Sequence, residues 1–196
     1  KNLVSMVTFL YLMICLWLWI VPRMNYNDTK TLLDSLLQTA SNQWEVNGVP
    51  MDIDQIIENM NKIAYVESKY GTNQYQPIQQ TNQGEGVGRG MFQYEIDFGG
   101  KQRGARTAIN RLIEQIGYTP DFLKGVTDDV SGLTEDQQRI LFLADKLRDE
   151  TANFDTGGTD WIDTDQELAE FWVDEHWAGY GKDMKKRQQM IDKFLK

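Results

Sequence analysis

Apolar residues are distributed along this chain in three ways: as one unbroken run, at helical spacing, and in a brief alternation. The unbroken run is Leu3 to Val21, LVSMVTFLYLMICLWLWIV, which has no charge and lies between Lys1 and Arg23. From Asn27 to Ser41, Leu32, Leu33, Leu36, Leu37 and Ala40 recur at helical spacing, with Asn27 or Asp28 placed to cap the helix. The glycosylation sequon Asn27-Asp28-Thr29 is most economically that cap. A turn at Asn47-Gly48-Val49-Pro50 precedes a second helical pattern from Asp52, in which Ile53, Ile56, Ile57, Met60, Ile63 and Ala64 share a face. This helix delivers Glu67 at its C-terminal end.

Residues 70–90 lose periodicity and read as a long loop rich in Gln, Asn, Gly and Tyr. The stretch MFQYEIDF then alternates enough for a short strand or turn, and GARTAINRLIEQIG reads as a helix closed by Gly117. Thr134 with Gln137, and Thr164 with Glu167, have the spacing of capping boxes. They open helices carrying Ile140, Leu141, Leu143, Ala144 and Leu147, and then Leu168, Phe171 and Trp172. A last helix is expected over residues 182–195, and no internal repeat is present. The pattern predicts a mainly α domain with a short β-hairpin and one glycine-rich insertion.

The uncharged run changes the picture at the N-terminus. Its 19 residues would make about 28 Å of helix, close to the hydrocarbon thickness of a bilayer. A cleaved signal would carry a shorter apolar core ending in small residues, whereas Trp17, Trp19, Pro22 and Arg23 follow here. The expectation is one retained transmembrane helix within residues 1–24, contacting lipid through residues 3–21, and a single folded domain over residues 25–196. Lys1 against Arg23 and Lys30 gives too little asymmetry to orient the span.

The composition, 41% hydrophobic and 11% aromatic, is that of a globular protein. The net charge of −9 would repel nucleic acid and anionic headgroups, which argues against nucleic acid as a partner. From Asp149 to Glu175 there are ten Asp or Glu and no Lys or Arg, most simply a solvated acidic face. Asp155, Asp160, Asp163 and Asp165 could offer calcium several carboxylate oxygens, but they lack the spacing of an EF-hand loop, so no metal is expected. Cys15 is the only cysteine, so packing rather than an intramolecular disulfide must hold the fold. The only histidine, His176, has no nucleophile or second ligand in view and reads as structural. No cofactor motif is present.

GEGVGRGMFQYE, residues 84–95, sets glycine at every second position four times. Arg89 falls where a dinucleotide fingerprint needs its third glycine, and no G-K-[ST] follows, so a phosphate cradle is not indicated. Taken with IAYVESKYG (63–71) and HWAGYG (176–181), the stretch resembles the lytic transglycosylase and goose-type lysozyme group of the lysozyme-like superfamily. That family places a Glu-Ser at the end of a core helix, then G-x-(M/L/F)-(M/F)-Q, then an aromatic and glycine turn. The corresponding residues are Glu67-Ser68, Gly90-Met91-Phe92-Gln93 and Trp177 to Gly181, and the resemblance covers about residues 50–185. FQYE, GARTAINR and DQQRILFLADKL look most like the lysozyme-like proteins carried in phage and viral particles. Tyr94-Glu95-Ile96-Asp97 stands where the cellular pattern has an apolar residue and a proline or threonine, and the third motif lacks the usual Tyr-Asn pair.

The resemblance implies cleavage of the β-1,4 bond between N-acetylmuramic acid and N-acetylglucosamine in peptidoglycan, with Glu67 as general acid. Such an acid works near neutral pH only if apolar surroundings lift its pKa from about 4.3 toward 6 or 7. A single Glu suffices in the family: it protonates the leaving oxygen, then deprotonates the muramyl C6 hydroxyl to close a 1,6-anhydro ring, water at that step giving hydrolysis instead. If two carboxylates are used, Glu95 is the candidate second one and Asp97 is also available, each with the simpler reading of a solvent-facing hairpin residue. Ser68, Gln93, Tyr94 and Tyr180 are the expected substrate-binding residues, and the glycines would leave room for a glycan strand. Ser68 has a rival role in orienting Glu67 or capping backbone, and Gln93 in bracing the hairpin. Trp161, Trp172, Trp177, Tyr75 and Tyr94 are available to stack on sugars or to fill the core.

The expected setting is a virion, with the domain opening a bacterial wall from the host periplasm and other virion proteins as further partners. A cellular wall-remodelling enzyme, a lysozyme-fold structural or glycan-binding virion protein, and a membrane disruptor acting through residues 3–21 remain alternatives.

Overall fold

The computed structural model describes residues 28–46, 49–72, 87–97, 104–147, 164–177 and 182–196. Helix α1 (Thr29–Gln43) starts where Asp28 accepts hydrogen bonds from the backbone N–H groups of Lys30 and Thr31. Strands β1 (Glu45–Val46) and β2 (Val49–Pro50) pair antiparallel in the register Val46 to Val49, a small ladder around what the sequence showed only as a turn. Helix α2 (Ile53–Ser68) is capped by Asp52 and stops at Lys69, which adopts the left-handed conformation. Strands β3 (Gly88–Arg89) and β4 (Tyr94–Glu95) form a second antiparallel hairpin. The predicted strand or turn at 91–98 thus divides: Met91 to Gln93 are the turn, and the first strand lies in the glycine-rich stretch before it.

Helix α3 (Gly104–Ile116) is closed by Gly117 at φ +77°, and a 3-10 turn spans Asp121–Leu123. Helices α4 (Glu135–Lys146) and α5 (Asp165–Phe171) begin at Thr134 and Thr164 with both expected capping boxes formed. From Trp172 to Trp177 the chain winds on as a π-helix, and α6 (Met184–Phe194) follows. The predicted mainly α architecture with a short hairpin is present.

Helix α4 is central. Ile140 to Lys146 are all buried, so this helix has no solvent stripe there, and α1 and α3 pack against it. Its polar ends are absorbed internally: Gln138 at one end, Asp145 and Lys146 at the other. Asp145 pairs with Arg111 of α3 and with Lys146, whose ammonium also lies 5.7 Å from the centre of the Phe142 ring. No helix among the described residues is long and apolar enough to cross a membrane. The expected anchor, residues 3–21, lies outside the described residues.

Candidate functional site: Glu67 and the hairpin turn

The buried stripe of α2 runs Ile56, Met60, Ile63, spaced four and three residues apart, and the next member of that series is Glu67. A carboxylate therefore occupies a place where the helix otherwise presents hydrocarbon. Glu67 is half-buried, and its Oε1 accepts a 2.6 Å hydrogen bond from the indole Nε1–H of Trp172. Burial lifts the Glu67 carboxyl to a pKa of about 7, against opposing pulls from the Trp172 hydrogen bond and the positive charge of Lys193. Near neutral pH the group is thus divided between a proton-donating and a proton-accepting form.

Three elements converge on this carboxylate. Helix α2 supplies it, the start of the π-helix supplies Trp172, and α6 backs Trp172 with the Phe194 ring at a centroid distance of 5.3 Å. Arg187 of α6 holds Asp174 through two hydrogen bonds of 2.8 and 2.6 Å, fixing the same segment two residues on. Lys62 of α2 bridges to Asp165 of α5 at 2.7 Å.

Beside the end of α2 sits the β3–β4 turn. Its backbone is tied down twice at Met91: the carbonyl accepts from Ser68 Oγ at 2.7 Å, and the N–H donates to Gln138 Oε1 at 2.6 Å. The turn also drives apolar side chains inward, with Met91 and Phe92 buried and Phe92 stacked on Phe142 of α4 at 4.4 Å.

The glycines here answer to neighbours within the protein. A Cβ on Gly90, which sits at φ +76°, would lie 2.3 Å from Gln138 Oε1, and a Cβ on Gly88 would lie 2.8 Å from Gln93 Oε1. The space expected to be left for a glycan strand is, at these two positions, filled by two glutamine side chains. Gly84 and Gly86 lie outside the described residues.

The expected binding residues separate accordingly. Ser68 is fully buried; its hydroxyl donates to the Met91 carbonyl and accepts from the Gly71 N–H, so it couples α2 to the turn rather than facing a substrate. Gln93 remains half-exposed while its Nε2 donates to the Gly90 carbonyl at 2.7 Å, which gives it the bracing role. Tyr94 is a core residue: its hydroxyl donates to Asp145 at 3.1 Å, and burial pushes the phenol pKa well up. It is thereby removed from the sugar-binding set. Glu95, next along β4, points to the opposite side of the hairpin and is exposed.

Trp172 is buried, which settles its alternatives in favour of packing, and sequence reasoning did not foresee its bond to a residue 105 positions away. The available signal was weak: a buried indole N–H needs an acceptor. Gln138, the clamp on Met91, was likewise not singled out. Tyr180, Tyr75, Trp161 and three of the four aspartates weighed for calcium lie outside the described residues, as do the side chains of His176 and Trp177. The fourth, Asp165, pairs with Lys62. Among the described residues no cluster of His, Cys, Asp or Glu is built to hold a metal ion.

A half-buried carboxyl with a pKa of about 7, held by a neutral donor, is equipped for general acid and then general base chemistry. Compared with family models, curated proteins and solved structures, the chain matches none.

Proposed function

We propose that this protein is a peptidoglycan-cleaving glycosidase of lysozyme-like type in which Glu67 is the single acid and base. The observation that carries the reading is the placement of Glu67 on the buried stripe of α2, where its carboxyl is raised to a pKa of about 7. In the first step the Glu67 proton passes to the glycosidic oxygen between N-acetylmuramic acid and N-acetylglucosamine, and the bond from C1 to that oxygen breaks. In the second, the muramyl O6 bonds to C1 and its proton returns to Glu67, leaving a 1,6-anhydro end and the catalyst as it began. Water in place of O6 gives a reducing end.

No other side chain need titrate in this scheme, which suits the exposed position of Glu95. The setting is a virion-borne enzyme, anchored through residues 3–21 and opening the host wall from the periplasm. A rival reading, a lysozyme-fold protein that binds glycan or builds the particle without turnover, draws support from the internal use of Ser68, Gln93 and Tyr94.

The test is muropeptide release from purified peptidoglycan by wild type, Glu67→Gln and Glu95→Gln, with mass spectrometry of the ends. The expected result is anhydro ends from wild type and Glu95→Gln and none from Glu67→Gln. Equal release by wild type and Glu67→Gln sinks the assignment, and binding without release in all three selects the rival.

A further inference from the structure

The hydrogen bond between Trp172 and Glu67 carries more than packing. An indole nitrogen has a hydrogen to give and no lone pair with which to accept. In the acid form of Glu67 the hydroxyl oxygen is the poorer acceptor of the two, so an indole N–H 2.6 Å from Oε1 favours the form in which Oε1 is the carbonyl oxygen. We propose that Trp172 is a positioning residue that assigns the transferable proton of Glu67 to Oε2 and keeps Oε1 as a permanent acceptor. The proposal rests on the glycosidase reading above and specifies which oxygen works in it.

The geometry that enforces this is built from behind. Trp172 is 1% exposed, so its indole has no alternative rotamer in water, and the Phe194 ring lies tilted at 42° against it. The π-helix starts at Trp172 itself, a wide turn of a kind that recurs at functional sites, and Arg187 pins Asp174 within it. Helix α6 is thus the strut of the acid residue.

One oxygen then serves both steps. Oε2 gives its proton to the glycosidic oxygen; as negative charge develops on the carboxylate, the Trp172 N–H bond to Oε1 becomes charge-assisted and strengthens. Oε2 next removes the proton from the O6 hydroxyl, and the carboxyl has not had to rotate. The positive charge of Lys193 on α6 favours the same anion. Of the other charges on the packed elements, Arg187 pairs with Asp174 and Glu170, and Lys62 with Glu58 and Asp165.

Two measurements on the full chain test the assignment. The first follows the Trp172 indole N–H by nitrogen-15 NMR from about pH 5 to about pH 9, with Glu67→Gln as the control. The resonance is expected to stay hydrogen-bonded throughout and to move downfield with a midpoint near the Glu67 pKa of about 7, a step absent from Glu67→Gln. The second compares wild type with Trp172→Phe and with 3-benzothienylalanine at position 172, an isostere in which sulfur replaces the N–H. Loss of one hydrogen bond to a charged group should lower kcat about ten- to a hundredfold at unchanged KM.

The alkaline limb of the pH profile should meanwhile move upward by about one pH unit, because removing a donor to the anion raises the carboxyl further. A purely structural role would leave the limb in place, or lower it as water enters. An indole resonance that ignores Glu67, or an isostere with full kcat and an unmoved limb, overturns the proposal while leaving the glycosidase reading standing. If wild type releases no muropeptides that reading falls, and the NMR titration still decides the proton assignment.

Discussion

Replacing Glu67 by Gln should make this protein more stable, and increasingly so as pH rises. The glutamine carbonyl still accepts from Trp172, so the substitution removes ionisation and little else. Folding moves the Glu67 carboxyl from an ordinary 4.5 to about 7. Between those values the folded chain keeps a proton that the unfolded chain has lost, so wild-type stability falls as pH climbs through the window. Below it the protonated group contributes in full and the two proteins should differ little.

At about pH 8 the ionised wild-type group costs about 3 kcal/mol, and residual contact with water trims this to about 2 kcal/mol. For a chain of this size that is a rise in Tm of about 4 to 8 °C in Glu67→Gln. The same calculation at about pH 5 leaves less than about 1 kcal/mol. Calorimetry of both proteins at the two pH values measures the difference. A Tm gap that does not widen with pH would refute the buried, raised carboxyl, and with it the physical basis for an acid role.

Three further outcomes follow from the packing around the turn. Gly90→Ala should lose about 2 kcal/mol or more, since its Cβ meets Gln138 at a positive φ, whereas Gly88→Ala should lose about 1 kcal/mol because the end of Gln93 can swing aside; paired thermal melts read the order. Ser68→Ala, which takes the buried donor from the Met91 carbonyl and the acceptor from Gly71, should cost about 1 to 3 kcal/mol in urea unfolding. Asp145→Asn removes the negative partner shared by Arg111 and the buried Lys146, and should cost about 3 kcal/mol in the same assay.

Elements whose cause is local were legible in the sequence. The caps at Asp28, Asp52, Thr134 and Thr164 need only one side chain and the next turn of backbone, and all four start helices where the spacing put them. Gly117 closes α3 for the same reason. Glu67 at the end of α2 was legible too, because one helical register carries it. What the sequence could not display was distance. Tyr94 looked like a sugar contact until its strand was seen to lie against Asp145, 51 residues away. The glycines looked like room for a ligand until Gln138 was seen to fill part of that room from 48 residues on. The π-helix after Phe171 has no composition of its own that marks it, and it lies in contact with α6.

The double tie at Met91 makes the β3–β4 hairpin part of a single cooperative unit with α2 and α4. An amide in the middle of a tight turn ordinarily trades its hydrogen with water within moments, because nothing beyond the turn must open. Met91 is buried, its amide donates to Gln138 and its carbonyl is held by Ser68, so opening the turn must also break its ties to the helices on both sides. The exchange of that one turn hydrogen should therefore be slow for its position in a hairpin and should quicken when the wall beside Glu67 is loosened.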